Sequence, residues 1–91
     1  MNKTFSITVT GKVQGVFFRQ STKEIANRLG ITGQVKNLPD GNVEIIASGT
    51  LEHLYNLIDW CKHGPPKAEV SGVHFEELPL AEFNRFEIVA F

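Results

Sequence analysis

Between Thr10 and Phe18 the hydrophobic period of the chain changes from two residues to about 3.6, across a segment that contains two glycines. Upstream, Phe5, Ile7 and Val9 alternate with Thr4, Ser6, Thr8 and Thr10, the pattern of a half-buried strand. Downstream, Phe18, Thr22, Ile25, Ala26 and Leu29 recur at helical spacing, with Lys23, Glu24 and Arg28 between them, and Gly30 offers a left-handed stop. The junction itself, GKVQGVFFRQ from Gly11 to Gln20, therefore joins a strand to a helix, and the chain mixes both kinds of structure. Whether the helix starts near Phe18 or at a Ser21-x-x-Glu24 capping box stays open at this level. Gly15 can take positive φ and lets the backbone approach a ligand closely. The unpaired N–H groups of a helix starting just after the run favour an anion, and Arg19 adds a planar, permanently charged fork. The run reads as a phosphate cradle; its plainer reading is a strand–turn–helix connection with a surface arginine.

Further along, Gly33 to Leu38 and Asn42 to Ser48 flank Pro39-Asp40-Gly41, a turn signal, which predicts a β-hairpin. Thr50 is a plausible N-cap for a second helix with Leu51, Leu54, Leu57, Ile58 and Cys61 on one stripe. His63-Gly64-Pro65-Pro66 forbids its continuation. Ala68 to Glu77 reads as a strand whose apolar parity switches at Gly72, a sign of a bulge. Phe86, Ile88 and Ala90 alternate with Glu87 and Val89 to close the described pattern. The order β-α-β-β-α-β predicts an α+β, ferredoxin-like sandwich, with two helices on one face of a four-stranded antiparallel sheet and the other face open to solvent. The first and third strands are expected at the centre. The second strand's far end, at Asn37, would then face the cradle after only a modest offset.

Composition limits the function classes. Ninety-one residues suit one domain, 1–91, with 42% hydrophobic and 21% charged residues, ordinary for a globular protein. A net charge of −1 lacks the basic footprint of a non-specific nucleic-acid binder, and NVEIIAS carries no aromatic platform for stacking bases. A single cysteine, Cys61, cannot form an internal disulfide, and no apolar run reaches the ~20 residues of a membrane span. No nucleic acid, no membrane and a cytoplasmic location are the expectations. His53, His63 and His74 lack metal-ligand spacing, and Cys61 falls on an apolar stripe without an activating neighbour in sequence. Glu76 and Glu77 are adjacent on a strand and point to opposite faces. The GxxxxGK[ST] loop is absent.

Asn37, just before the turn, carries an amide that can accept from a water while donating to an oxygen. Its plainer reading is a turn-initiating residue that bonds its own backbone. Taken together, these segments resemble the acylphosphatase family over nearly the whole chain. GKVQGVFFR is similar to the family's phosphate-binding loop, KNLPDGNVE to its catalytic-asparagine segment, and GPPKAEVSGV to its second helix-to-strand connection. The resemblance implies hydrolysis of acyl phosphates to a carboxylate and inorganic phosphate by a monomer that needs no metal or other cofactor. Phosphate would be both product and inhibitor. Arg19 would bind the phosphoryl group, helped by backbone N–H groups of Gln14, Gly15, Val16, Phe17, Phe18 and Arg19, and Asn37 would position the attacking water. Three positions depart from the usual pattern. Gln34 replaces a frequent aromatic, Lys36 a common arginine, and FEIVAF lacks an arginine often found there, with Val89 at its place. A phosphate-binding ferredoxin-like module without turnover is the alternative, and Asn37 discriminates the two, since binding alone does not require it.

Overall fold

The alternating N-terminal residues form β1 (Asn2–Lys12), and Phe5, Ile7 and Val9 are all buried on its inner face. The computed structural model describes residues 1–90; Phe91, the end of the expected 1–91 unit, lies outside them. After β1 come α1 (Phe18–Leu29), β2 (Thr32–Asn37), β3 (Val43–Thr50), α2 (Leu51–Cys61), β4 (Glu69–Leu78) and β5 (Phe86–Ile88). Both helices pack on one face of the sheet. α1 buries Phe18, Thr22 and Ala26, and α2 buries Leu54, Leu57, Ile58 and Cys61, against Val35, Val43, Ile45 and Ala47 from the strands. Each buried Val, Leu, Ile or Phe among them contributes about 1.5–3 kcal/mol through its removal from water.

The helix starts and stops follow local chemistry. α1 begins at Phe18, not at the Ser21 box: the Ser21 N–H is already committed to the Phe17 carbonyl at 3.0 Å. Gly30 closes it in the left-handed conformation, with N–H bonds back to Asn27 and Ala26 from Gly30 and Ile31. Thr50 caps α2 by accepting from the His53 N–H at 3.2 Å. Leu51 departs from the expected stripe: as the first residue of α2 it is 41% exposed, while Leu54, Leu57, Ile58 and Cys61 are buried.

The sheet has five strands in the order β4-β1-β3-β2-β5, which corrects the expected four-stranded antiparallel sheet. β1, β3, β2 and β4 pair antiparallel as the ferredoxin-like order requires, with Ile7 opposite Ile45 and Asn37 opposite Val43. The closing segment becomes a fifth strand that runs parallel to β2, with Ile88 opposite Val35. Its three residues gain backbone partners on the otherwise open edge of β2, and the Val89 N–H continues the ladder to the Val35 carbonyl at 2.9 Å. The parity switch near Gly72 is a bulge: Thr10 opposes Gly72 while Gly11 opposes Val70, leaving Ser71 unpaired.

Because β4 and β5 lie on opposite edges, the chain between them must cross the sheet. The crossing is pinned at Ala81. Its N–H donates to Thr4 Oγ1 at 2.8 Å, its carbonyl accepts from Ser48 Oγ at 2.7 Å, and the two hydroxyls lie 2.6 Å apart. Thr4 and Ser48 are paired across β1 and β3 on the face away from the helices, so one end of the expected open face is covered. Thr4→Val keeps the shape but leaves the Ala81 N–H without its acceptor. It is expected to lower unfolding free energy by about 1–3 kcal/mol in urea titrations, against about 0.5 kcal/mol or less for Thr8→Val on the same face.

Candidate active site

At the junction of β1 and α1 the chain breaks three rules of local stability at one place. Phe17, which precedes the helix, sits at φ 65°, ψ 24°, a left-handed conformation unusual for a bulky side chain. No side chain caps the helix start. Its first turn holds no acidic residue but does hold Arg19, a cation at the positive end of the helix dipole. Gly15 supplies the other turn of the loop at φ 73°, with open space where a Cβ would stand. Among the described residues, the N–H groups from Gly15 to Gln20 have no backbone acceptor, and no carboxylate pairs with the Arg19 guanidinium. An anion at this spot would satisfy the free N–H groups and the unpaired guanidinium at once.

β2 brings the second component. Asn37 is its last residue, and Arg19 and Asn37 line one cavity of about 360 Å³ together with Val13, Gly15, Phe17, Phe18, Gln20 and Ile88. Asn37 Oδ1 is buried and has no hydrogen-bond partner. Leaving such an acceptor dry costs about 1–3 kcal/mol, so a buried orphan of this kind marks a place for a ligand or water. The turn-initiating reading of Asn37 does not hold. The side chain that closes the turn is Asp40, whose Oδ1 accepts from the Asn42 N–H at 3.0 Å and whose Oδ2 accepts from Asn42 Nδ2 at 3.2 Å.

Gln14 fixes the loop to the hairpin. Its Nε2 donates to the Leu38 carbonyl at 2.8 Å and the Asn42 carbonyl at 2.9 Å, spanning the mouth of the β2–β3 turn. Gln14, whose backbone N–H is expected at the ligand, thus uses its side chain to tie the loop to the hairpin that follows Asn37. Val16 is buried in the core, so the side chains of Gln14 and Val16 do not line the cavity while those of Phe17, Phe18 and Arg19 do. Ile88 is a cavity residue that the sequence reading missed. It arrives on β5, whose register against β2 sets its position.

The excluded candidates sit elsewhere. Lys36 pairs with Glu44 at 3.6 Å across the β2–β3 ladder, and Glu77 with Lys3 at 3.4 Å across β1–β4. Among the described residues, no group of three or more His, Cys, Asp or Glu side chains is placed to hold a metal ion, and no helix is long and apolar enough to cross a membrane. Cys61 is in the core, where burial pushes its thiol up to about 12.

Comparison with known proteins agrees with this geometry. The model of the acylphosphatase family matches residues 5–88. The chain belongs to the acylphosphatase family. An acylphosphatase of Rubrobacter xylanophilus is 52% identical over 87 residues, covering 94% of this chain and 79% of that protein. The structure of an acylphosphatase from Coxiella burnetii superposes with a TM-score of 0.94 at 42% identity, over 97% of this chain and 93% of the other. The acylphosphatase of Bacillus subtilis superposes with a TM-score of 0.92 at 37% identity, over 98% and 99% of the two chains.

The buried thiol makes a prediction for this acylphosphatase fold. Cys61 is raised above its unfolded value of 9.0, so the unfolded chain loses this proton first as pH rises. The stability it contributes is complete below about pH 9 and falls through the interval up to about 12, with a slope of at most ~1.4 kcal/mol per pH unit. Urea midpoints measured from about pH 8 to about pH 10.5 are expected to fall more steeply for the native chain than for Cys61→Ala. Equal slopes would remove the assignment.

Proposed function

We propose that this protein hydrolyses the carboxyl–phosphate bond of acyl phosphates, with Arg19 holding the phosphoryl group and Asn37 positioning the attacking water. The observation that carries the reading is the buried, unpartnered Asn37 Oδ1 in the same cavity as Arg19. A phosphate-binding module would use the loop and the guanidinium, but it would have no use for an orphaned acceptor on a neighbouring strand. The family membership and the relatives named acylphosphatase support the same reading.

The chemistry suits so sparse a site. The phosphoryl group would lie against the free N–H groups of the loop and the first turn of α1, with the Arg19 fork on its equatorial oxygens. Phosphoryl transfer passes through a loose transition state in which those oxygens carry the charge and the nucleophile is little bonded. Donors fixed before the reaction stabilise that charge without reorganising. One water, donating an O–H to Asn37 Oδ1, attacks phosphorus in line. The bond from phosphorus to the bridging oxygen breaks, its electron pair leaves with a carboxylate, and the water's surplus proton passes to solvent or to the product phosphate. A carboxylate is a weak base and leaves unprotonated, so neither a general acid nor a metal is required. Phosphomonoesters, whose alkoxide leaving groups are far more basic, are poor substrates on this reading. The reaction is the hydrolysis of an acid anhydride, and the two residues assigned to it, Arg19 and Asn37, line the same cavity. We take 1–91 as one working unit, a monomer, and a free, buried Cys61 suits the reducing cytoplasm.

Two measurements test this. Benzoyl phosphate hydrolysis is expected to persist in EDTA, with inorganic phosphate a competitive inhibitor and para-nitrophenyl phosphate turned over at least ~10²-fold more slowly. A requirement for added metal, or phosphate binding without turnover, would leave only the binding-module reading. Arg19→Gln is expected to lose both phosphate affinity and about 10³-fold or more in turnover. Asn37→Ala is expected to keep the phosphate inhibition constant near that of the native chain while kcat falls about 10²-fold or more, because misplacing the water costs only the reacting complex. Equal loss of phosphate binding in the two variants rejects this division of roles.

A further inference from the structure

The polar groups that would hold a phosphoryl group account for only part of the cavity wall. The rest is apolar: Val13, Phe17, Phe18 and Ile88. Val13 and Phe18 are core residues at 1% and 2% exposure, and Phe18 also packs on Trp60 with ring centroids 5.3 Å apart. Phe17 and Ile88 differ. Phe17 is 76% exposed and Ile88 37%, although both line the cavity. Phe17 takes part in none of the aromatic pairs found among the described residues. It also occupies a left-handed backbone conformation that asparagine or glycine would adopt at lower cost. A large apolar side chain kept at a strained, solvent-facing position, without core contacts to compensate, has its use outside the fold.

We infer that Phe17 and Ile88 form an acyl-binding lip that gives the chain a preference for acyl phosphates with large apolar acyl groups, aromatic ones above all. This rests on the hydrolase reading, because it concerns the part of the substrate that extends beyond the phosphoryl group. The two residues are 71 positions apart in sequence and line one cavity, Ile88 being carried there on β5, which lies parallel to β2, the strand that carries Asn37. The strand pairing therefore links the acyl contact to the water-positioning residue through three paired residues of rigid sheet. A flat ring seated between an exposed phenyl and a branched aliphatic side chain gains area burial and offset-stacked contact, while a methyl group gains little of either.

The test compares benzoyl phosphate with acetyl phosphate in the native chain, in Phe17→Asn and in Ile88→Thr. Asparagine tolerates the left-handed conformation, and threonine keeps a β-branched residue on β5. The native chain is expected to favour benzoyl phosphate in kcat/KM. The benzoyl-to-acetyl ratio is expected to fall about two- to tenfold in each variant, carried by KM. Binding of benzoylphosphonate and acetylphosphonate, whose carbon–phosphorus bonds resist hydrolysis, is measured alongside, and the same fall in selectivity is expected. Thermal melts establish that each variant is folded; should Ile88→Thr melt early, Phe17→Asn alone decides. An unchanged ratio in folded variants, or a native chain without preference for the larger ligand, overturns the inference. Selective phosphonate binding without turnover of either acyl phosphate would instead sink the hydrolase reading and keep the lip.

Discussion

The site depends on an unsatisfied helix start. Phe17 turns the chain into α1 through a left-handed residue; the backbone donors from Gly15 to Gln20 have no protein acceptors among the described residues, and Gly15, Phe17, Phe18, Arg19 and Gln20 line one cavity. A serine or aspartate at the cap would stabilise the helix by about 1 kcal/mol, and an acidic first turn would stabilise it further. Either would also place an oxygen where the proposed reading puts an external anion. The chain instead puts Arg19 there, against the dipole, so that its most favourable partner is not part of the polypeptide.

A deliberately incomplete loop has to be held by something other than its own hydrogen bonds. The Gln14 amide does this through the two carbonyls of the hairpin mouth, and the buried Val13, Val16 and Phe18 anchor the loop from beneath. Those same carbonyls belong to the turn that follows Asn37, so one side chain sets the spacing between the two halves of the site. The hairpin is kept rigid by Asp40, which leaves the Asn37 oxygen uncommitted. Local strain at the loop and at Asn37 is thus offset by ordinary packing and hydrogen bonding a few ångströms away.

Most of the architecture was legible because it is written in periodicity. The alternation of Phe5, Ile7 and Val9, the stripe from Phe18 to Leu29 and the Pro39-Asp40-Gly41 turn are all local signals, and each produces the element it predicts. What escaped is non-local. Three residues at 86–88 carry no sign of which edge they will join, so the parallel pairing with β2, and with it the cavity position of Ile88, had no local trace. The Gln14 bridge spans 24 and 28 residues of chain, and the Ala81 staple spans 77, from Thr4. Arg19 and Asn37 could be named from their segments, but that they share a cavity follows from strand order, which only the folded chain reveals. Leu51 shows the opposite failure: its spacing fits the stripe, yet as the first residue of α2 it is left exposed.

β5 leaves only a three-residue strand on one border of the sheet, so the long backbone edge is that of β4. Along its ten residues, those whose N–H and C=O groups turn away from β1 could recruit a strand from another molecule, and Phe75, stacked on Phe5 at 5.4 Å, would make the contact sticky. Two features oppose it. Ser71 bulges out of the ladder and twists the strand, and Glu69, Glu76 and Glu77 would meet like charges in a neighbouring copy. These features oppose fibrous self-association on the border across the sheet from β5, so the protein keeps a long edge with less of the hazard that such edges carry.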